Sequence, residues 1–293
     1  MRAAAIFGLG CSPKSLTSFQ IDESIDWRMG MPAAADNADV ILLFGGDGTV
    51  HRHLSQLVKL GLPVLVVPTG SGNDFARGLG LLQVRDSVAA WKSFCSGHNN
   101  VRAIDLGVIT PLADVGGAPA PREHYFGSVA GVGIDGEVAR RANALPRWLR
   151  AHGGYALALA PTIFQFAPVH TKILTPDGAS GWSTRSDQPT ILAAFANSPT
   201  YGGGMKIAPK ARMDDGKLDV SIIARVNRIK LFSMFPTVYF GRHLRMRSVA
   251  SFQASRLRVE TETPLPIYAD GEFVCRTPVE VSLQPGILKV VTP

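Results

Sequence analysis

Residues 40–44, Val-Ile-Leu-Leu-Phe, run directly into Gly45, Gly46, Asp47, Gly48 and Thr49, and few folds accommodate that junction. Five consecutive apolar residues, rich in β-branched and aromatic types and ended by glycine, describe a strand buried on both faces, the condition of a strand inside a parallel sheet. In open α/β sheets, ligands bind at the loop leaving the carboxyl end of such a strand. Three glycines let the backbone come close to a ligand and turn its N–H groups toward phosphate oxygens. Asp47 cannot face a bare phosphate, so its carboxylate needs a divalent cation or hydrogen bonds from the loop. An ordinary strand-to-helix turn with Asp47 as a helix cap accounts for the same five residues.

Residues 49–60 place Val50, Leu54, Leu57 and Val58 on one helical face, and Gly61 ends the helix. Residues 64–67 form a second buried strand, followed by Pro68-Thr69-Gly70-Ser71-Gly72-Asn73-Asp74-Phe75-Ala76-Arg77. Two glycine loops separated by one βαβ unit open on the same sheet edge and share one cleft, where Arg77 is able to pair with an acid or a phosphate. Residues 3–7 make a first strand ahead of another small glycine loop. The stretch from Met1 to Cys11 superficially resembles a lipoprotein signal, but it is short, carries one leading cation and has Gly8 where leucine is usual, so export is not expected.

A chain of 293 residues has room for two domains, and beyond Asp105 the pattern changes class. Leu218, Val220 and Ile222 alternate with Asp219 and Ser221, and Leu257, Val259 and Thr261 alternate with Arg258, Glu260 and Glu262, the period of antiparallel strands. Residues 111–121, rich in Pro and Gly, read as a loop just past the boundary. Composition is that of a soluble globular protein, and no run approaches the ~20 apolar residues that span a bilayer. Three cysteines without metal-type spacing suit a reducing cytoplasm.

These motifs, taken in order, resemble the bacterial diacylglycerol kinase-type lipid kinases, whose catalytic domain also covers sphingosine and ceramide kinases and is distantly related to NAD kinases. The resemblance rests on Gly45 to Thr49, the Pro68 to Arg77 run, Asp105 in Ile104-Asp105-Leu106-Gly107, and Tyr201-Gly202-Gly203-Gly204. Ala208-Pro209, Asp215-Gly216 with Leu218-Asp219, and Asp270-Gly271-Glu272 complete it. NAD kinases have Asn-Glu where this chain continues Asn73-Asp74-Phe75-Ala76-Arg77, which argues against that branch.

The resemblance implies an NAD kinase-like α/β nucleotide-binding domain over 1–106, a parallel sheet with helices. It implies a mostly antiparallel all-β lipid-substrate domain over 107–285, with 286–293 returning to the first domain and the active site between the two. It implies Mg²⁺-dependent transfer of the ATP γ-phosphoryl group to a lipid hydroxyl. Gly45, Gly46, Asp47, Gly48, Thr49, Thr69, Gly70, Ser71, Gly72, Asn73, Asp74, Arg77 and Asp105 would hold the nucleotide, with Asp47, Asp74 and Asp105 networked to Mg²⁺ and water. Asp270 would be the general base and Glu272 its support, although Asp-Gly between two strand-like segments is also a plain hairpin turn. A structural Mg²⁺ would sit on Asp215 with the carbonyls of Met213 and Leu218, where a β-turn is an equal account. One departure stands out: the first loop, Gly8 to Ser15, lacks the usual Asn-Pro motif, and the 35 residues from Gly10 to Gly45 leave a strand-and-helix unit shortened or lost.

The net charge of +7 is local. Residues 201–258 hold 12 Lys or Arg against 3 Asp. Arg225, Arg228 and Lys230 precede an apolar stretch, and Arg242, His243, Arg245 and Arg247 follow it, which suits a peripheral membrane surface of anionic lipids as well as a solvated helix face. Arg140, Arg141, Arg147 and Arg150, ahead of an apolar stretch over 155–166, form a second candidate. No nucleic-acid motif accompanies either cluster. The seven histidines show no ligand spacing and read as structural or surface residues, and a homodimer is compatible with the chain. The expected protein is a cytoplasmic, membrane-visiting lipid kinase; the alternative is a lipid- or nucleotide-binding protein that kept the scaffold without efficient catalysis.

Overall fold

Strands that are apolar on both faces need cover on both sides, and the first third of the chain provides it. A computed structural model describes residues 1–112, 123–144, 161–178 and 181–293. In it β1 (Arg2–Phe7), β2 (Asp26–Met29), β3 (Val40–Gly45) and β4 (Val64–Pro68) lie parallel in the order β4-β3-β1-β2. Every residue of β3 and β4 is buried. Helix α1 (Asp47–Leu60) buries Val50, Leu54 and Leu57, and ends at Gly61, whose left-handed conformation lets its N–H reach Leu57 O at 3.0 Å. After α2 (Asp74–Gly78), α3 (Val84–Cys95) seats Trp91 in the core, its indole N–H donating to Phe19 O at 2.8 Å. Between β1 and β3 stand only short 3₁₀ turns and the four-residue edge strand β2, the shortened unit that the spacing announced.

The remaining described strands pair antiparallel with one another. They are β5 (Val101–Pro111), β6 (His124–Phe126), β7 (Val129–Gly133), β8 (Val169–Asp177), β9 (Gly181–Ala196), β10 (Leu218–Ala224), β11 (Val249–Ala254), β12 (Arg256–Thr261), β13 (Pro266–Ala269), β14 (Glu272–Arg276) and β15 (Val279–Val291). Period-2 alternation sorts their side chains into two cores. Ala193 and Phe195 of β9 join Val132, Val220, Val259 and Ile267 in the interior of the sandwich. Leu192, Ala194 and Ala196 face the other way, under α4 (Ile134–Ala144) and α5 (Arg228–Val238), which supply Val138, Leu231, Met234 and Val238. A parallel α/β part followed by an antiparallel β part is the fold class expected.

One strand belongs to both parts. Along its length β15 pairs antiparallel with β5, and at its end it adds to the parallel sheet through Val290 beside Val64. Leu288, Val290 and Val291 are accordingly buried in the first core. The β5–β15 register shifts between Gln284 and Leu288, around Gly286 in a positive-φ conformation. From residue 113 on, the expected loop over 111–121 lies outside the described residues, as do Arg147, Arg150 and residues 155–160 of the apolar stretch.

Leu288→Ala removes a fully buried side chain from the segment that joins the two parts. It is expected to lower stability by about 2–5 kcal/mol, read as the shift in a chemical-denaturation midpoint with the slope unchanged.

Candidate functional site

Three loops meet at the carboxyl ends of β1, β3 and β4. Gly8 N–H donates to Phe44 O at 2.7 Å, Thr69 N–H donates to Gly45 O at 3.2 Å, and Cys11 Sγ lies 3.0 Å from Thr69 Oγ1. The approach of the second loop to the third is backbone on backbone: a Cβ on Gly70 would stand 2.5 Å from Gly46 Cα. Only glycine permits that contact at both positions. Gly45 and Thr49 are in the same close packing. Asn73 shapes the Gly70 loop by itself, in the left-handed region at φ 56, with Oδ1 accepting Gly70 N–H at 2.9 Å and Nδ2 donating to Gly70 O at 2.7 Å. Arg77 braces the loop through Gly72 O at 2.9 Å and stands 3.7 Å from Asp74. Ser71 is exposed at its tip.

Asp47 is the first residue of α1, and its Oδ1 accepts the N–H of Phe75 at 2.9 Å, so one carboxylate ties the two loops together. Its Oδ2 and Asp74 Oδ2 lie on the same side of Gly72, 2.8 and 3.6 Å from where a Cβ on that glycine would be. Burial, and then the charge of Asp74, push the Asp47 carboxyl up to about 6, with Asp270 adding to the effect. Asp74 is itself buried; its Oδ2 accepts Gly203 N–H at 2.8 Å, and its Oδ1 receives no hydrogen bond. Two neighbouring buried carboxylates, with Asp74 Oδ1 receiving no hydrogen bond, form an all-oxygen donor set. It fits Mg²⁺, which takes one or two carboxylates together with phosphate oxygens and water. Among the described residues no three or more His, Cys, Asp or Glu side chains converge on a metal-sized point.

Asp105 is surrounded differently. Its Oδ1 accepts Gly286 N–H and its Oδ2 accepts Gly216 N–H, both at 2.8 Å; its own N–H donates to Met213 O at 2.7 Å. It therefore bridges the register shift in β15 and pins the turn ahead of β10. In that turn Asp215 Oδ1 accepts Lys217 N–H at 3.1 Å, Met213 O is the acceptor for Asp105, and Leu218 is buried in β10. Two of the three groups expected to hold a structural metal, Asp215 Oδ1 and the Met213 carbonyl, thus each accept a backbone N–H.

Asp270 and Gly271 form the two-residue turn between β13 and β14, both at positive φ (51 and 84), the geometry of a tight hairpin. The turn turns the Asp270 carboxylate inward. Its Oδ1 accepts the N–H groups of Ser128 (2.8 Å) and Val129 (3.3 Å), and its Oδ2 accepts Gly127 N–H (2.9 Å) and faces His51 Nδ1 at 3.1 Å. His51 belongs to α1, one turn beyond Asp47, so the hairpin tip docks on the helix that begins at the first glycine loop. Burial lowers the His51 pKa, yet the hydrogen bond and charge of Asp270, helped by Glu272, outweigh it and hold the imidazole above its ordinary 6.5. Its Nε2 has no hydrogen-bond partner among the described residues. Glu272 reaches over the start of α1, its Oε1 2.8 Å from the Cβ position of Gly48.

Sequence reasoning missed His51, having treated every histidine as structural or surface. The available signal was helical spacing: residue 51 is four beyond Asp47, on the same face of α1. It also missed the N–H groups of 127–129. These are organised by Asn197, whose Nδ2 donates to Asp105 O (2.8 Å) and Gly127 O (3.0 Å) and whose N–H donates to Ser128 O (2.8 Å).

Beside this cluster lies a small apolar cavity of about 50 Å³ under α5, walled by Leu192, Met205, Ile207, Ile223, Met234 and Val238, with Asp135 and Tyr201 also lining it. Tyr201 opens the glycine loop whose Gly203 binds Asp74, so cavity and acid pair are two residues apart along the chain.

Residues 16–109 match the family model described as the diacylglycerol kinase catalytic domain, and 127–292 match the YegS C-terminal NAD kinase beta sandwich-like domain. The chain is 34% identical over 261 residues to a diacylglycerol kinase of Mycobacterium tuberculosis, across 89% of this chain and 79% of that one. It is 26% identical over 243 residues to a diacylglycerol kinase of Bacillus subtilis, across 82% and 73%. A crystal structure of a diacylglycerol kinase from Bacillus anthracis has the same fold, with a TM-score of 0.66 at 19% identity over 100% of this chain and 96% of that one.

Because the folded Asp47 ionises at about 6 and the unfolded one near 3.8, the folded state binds the extra proton between those values and stability falls as pH rises through that window. The penalty is complete above about pH 6. Asp47→Asn is therefore expected to raise stability by about 1–3 kcal/mol at pH 7.5, with the gain shrinking toward pH 4, measured by thermal melts across that range.

Proposed function

The chain belongs to the diacylglycerol kinase family and is a lipid kinase-type phosphotransferase, and from that premise we propose that it moves the γ-phosphoryl group of ATP to the hydroxyl of a diacylglycerol-like lipid. The observation that carries this reading is the convergence, at one sheet edge, of two glycine loops, the Asp47–Asp74 pair and the Asp270–His51 pair, brought from segments 219 residues apart. The N–H groups of Asp47 and Gly48 at the start of α1 and those of Ser71 and Gly72 would cradle the phosphates. Asp47 and Asp74 would hold Mg²⁺, which when bound neutralises charge on the phosphoryl oxygens.

The family resemblance implies a general base at Asp270, and the hydrogen bonds support a division of that role. Four donors fill the four lone-pair positions of this carboxylate, leaving it no vacancy for a substrate hydroxyl. His51, oriented by Asp270 through Nδ1 and open at Nε2, takes the proton. As the lipid oxygen bonds to the γ-phosphorus, its proton passes to Nε2, the bond to the bridging oxygen breaks, and ADP leaves. Glu272, over the start of α1, orients the hydroxyl. The acyl chains would enter beneath α5; a 50 Å³ cavity is far below the ~300 Å³ of a small ligand site, so α5 must move outward to admit them.

Purified protein given labelled ATP, Mg²⁺ and a panel of diacylglycerol, sphingoid base and isoprenoid alcohol is expected to label a lipid. Tight nucleotide binding with label in no lipid would establish the alternative, a binding protein on the same scaffold. On the labelled lipid, kcat is expected to fall on an acid limb with an apparent pKa above 6.5, since His51 must be unprotonated to accept. His51→Asn, which still donates toward Asp270, is expected to abolish that limb and lower kcat about 10²–10⁴-fold, with ATP binding retained. An unchanged limb and rate in this variant would return proton acceptance to Asp270.

A further inference from the structure

From Val220 to Val259 the chain carries eight Lys or Arg and no Asp or Glu. Two of the eight, Arg256 and Arg258, are paired with Glu280. The other six, Arg225, Arg228, Lys230, Arg242, Arg245 and Arg247, are exposed and have no ion-pair partner among the described residues. All six flank one structural unit, α5 packed against the turn Arg242–Arg245.

The placement is unfavourable for the helix alone. Arg228 and Lys230 sit in the first turn of α5, where backbone N–H groups already concentrate positive charge, and that turn holds no acid to compensate. Cations gathered against the helix dipole are explained by a negative partner outside the chain. Arg140 and Arg141, the members of the second arginine cluster that lie among the described residues, offer a contrast: both bind Glu137 within α4, at 2.7 and 2.8 Å, which offsets one of their two charges inside the protein.

The same unit exposes large apolar side chains. Ile229 is 79% exposed, Phe240 72% and Phe232 52%, and Phe232 lies against the half-exposed Phe164 with ring centroids 6.3 Å apart. Ile229 and Phe232 share one face of α5, while Leu231, Met234 and Val238 on the other face are buried as walls of the apolar cavity. Arg242 stands 6.0 Å over the ring of Phe240, which keeps a cation at the base of that apolar tip. A polar polymer such as nucleic acid would neutralise the cations but leave Ile229 in water. A bilayer with anionic headgroups covers both: the cations remain at headgroup level and the apolar tips enter the acyl boundary.

We infer that the outer face of α5 and the turn after it form a docking surface for an anionic phospholipid bilayer, seating Ile229, Phe232 and Phe240 below a ring of six cations. The choice of a bilayer rests on the lipid-kinase reading. It also makes α5 the wall between membrane and cavity, so docking and outward movement of that helix act on the same element.

The test is co-sedimentation of the full chain with vesicles that contain no kinase substrate, either phosphatidylcholine alone or phosphatidylcholine with 30% phosphatidylglycerol. The protein is expected to bind the anionic vesicles, to lose that binding in 0.5 M NaCl, and to leave the neutral ones largely unbound. Arg228→Gln with Lys230→Gln is expected to weaken binding about 25-fold, at roughly fivefold per cation. Phe232→Ser with Phe240→Ser is expected to weaken it at least tenfold at unchanged charge. Both variants are expected to keep turnover on detergent-dispersed lipid and to melt like the parent, which separates docking from catalysis and from folding. Failure of the parent to sediment with anionic vesicles, variants that sediment like the parent, or parent binding only to a duplex oligonucleotide would each overturn the inference, whether or not the kinase reaction is found.

Discussion

Two buried carboxylates, Asp105 and Asp270, hold the parts of this protein in register, and neither does so through another side chain's charge alone. Asp105 supplies acceptors for the N–H groups of Gly216 and Gly286, where the β5–β15 ladder loses its regular pairing. A buried N–H without a partner is expensive, so a carboxylate at such a break stabilises the strand that joins both parts of the fold. Asn197 carries the connection onward, from the carbonyl of Asp105 to that of Gly127. The N–H groups of 127–129 then hold Asp270, which holds His51 on α1. One continuous hydrogen-bonded path thus runs from the β5–β15 ladder to the helix that opens at the first glycine loop.

The cleft at the end of that path is electrostatically uncomfortable without a ligand. Asp47, Asp74 and Asp270 lie close enough for the first to be raised by the other two, and what offsets this at Asp47 is the backbone N–H groups of Asp74 and Phe75 at the start of α2 rather than a lysine or arginine. Folding tolerates this arrangement because apolar burial in β3, β4 and α1 is extensive, and a cation bound between the carboxylates would relieve the repulsion. Stability given up at the site and affinity for a charged ligand are two readings of the same energy.

Much of this was legible in the chain itself. Uninterrupted apolar runs ended by glycine located β3 and β4, the face formed by Val50, Leu54 and Leu57 located α1, and strict alternation located β10 and β12. What could not be read was which hydrogen bonds each carboxylate would receive. Asp47, Asp74 and Asp105 looked equivalent, each at or just after the end of a strand, yet the first two share a cleft and the third is enclosed by backbone N–H groups from 111 and 181 residues away. His51 looked like any surface histidine because its partner is 219 residues distant. The turn at Asp215 offered metal-like oxygens, and the sequence did not show that two of them, Asp215 Oδ1 and the Met213 carbonyl, each accept a backbone N–H.

The amino-acid sequence by itself determined the order of elements, the double-sided burial of the parallel strands, the loops that need glycine, and the segment in which positive charge collects, because these follow from side-chain pattern over a few adjacent residues. Only the tertiary structure decided what the acids do. A carboxylate acts as ligand, latch or orienting group according to the donors that reach it within about 3 Å, and those donors are delivered by chain segments whose proximity no local pattern encodes.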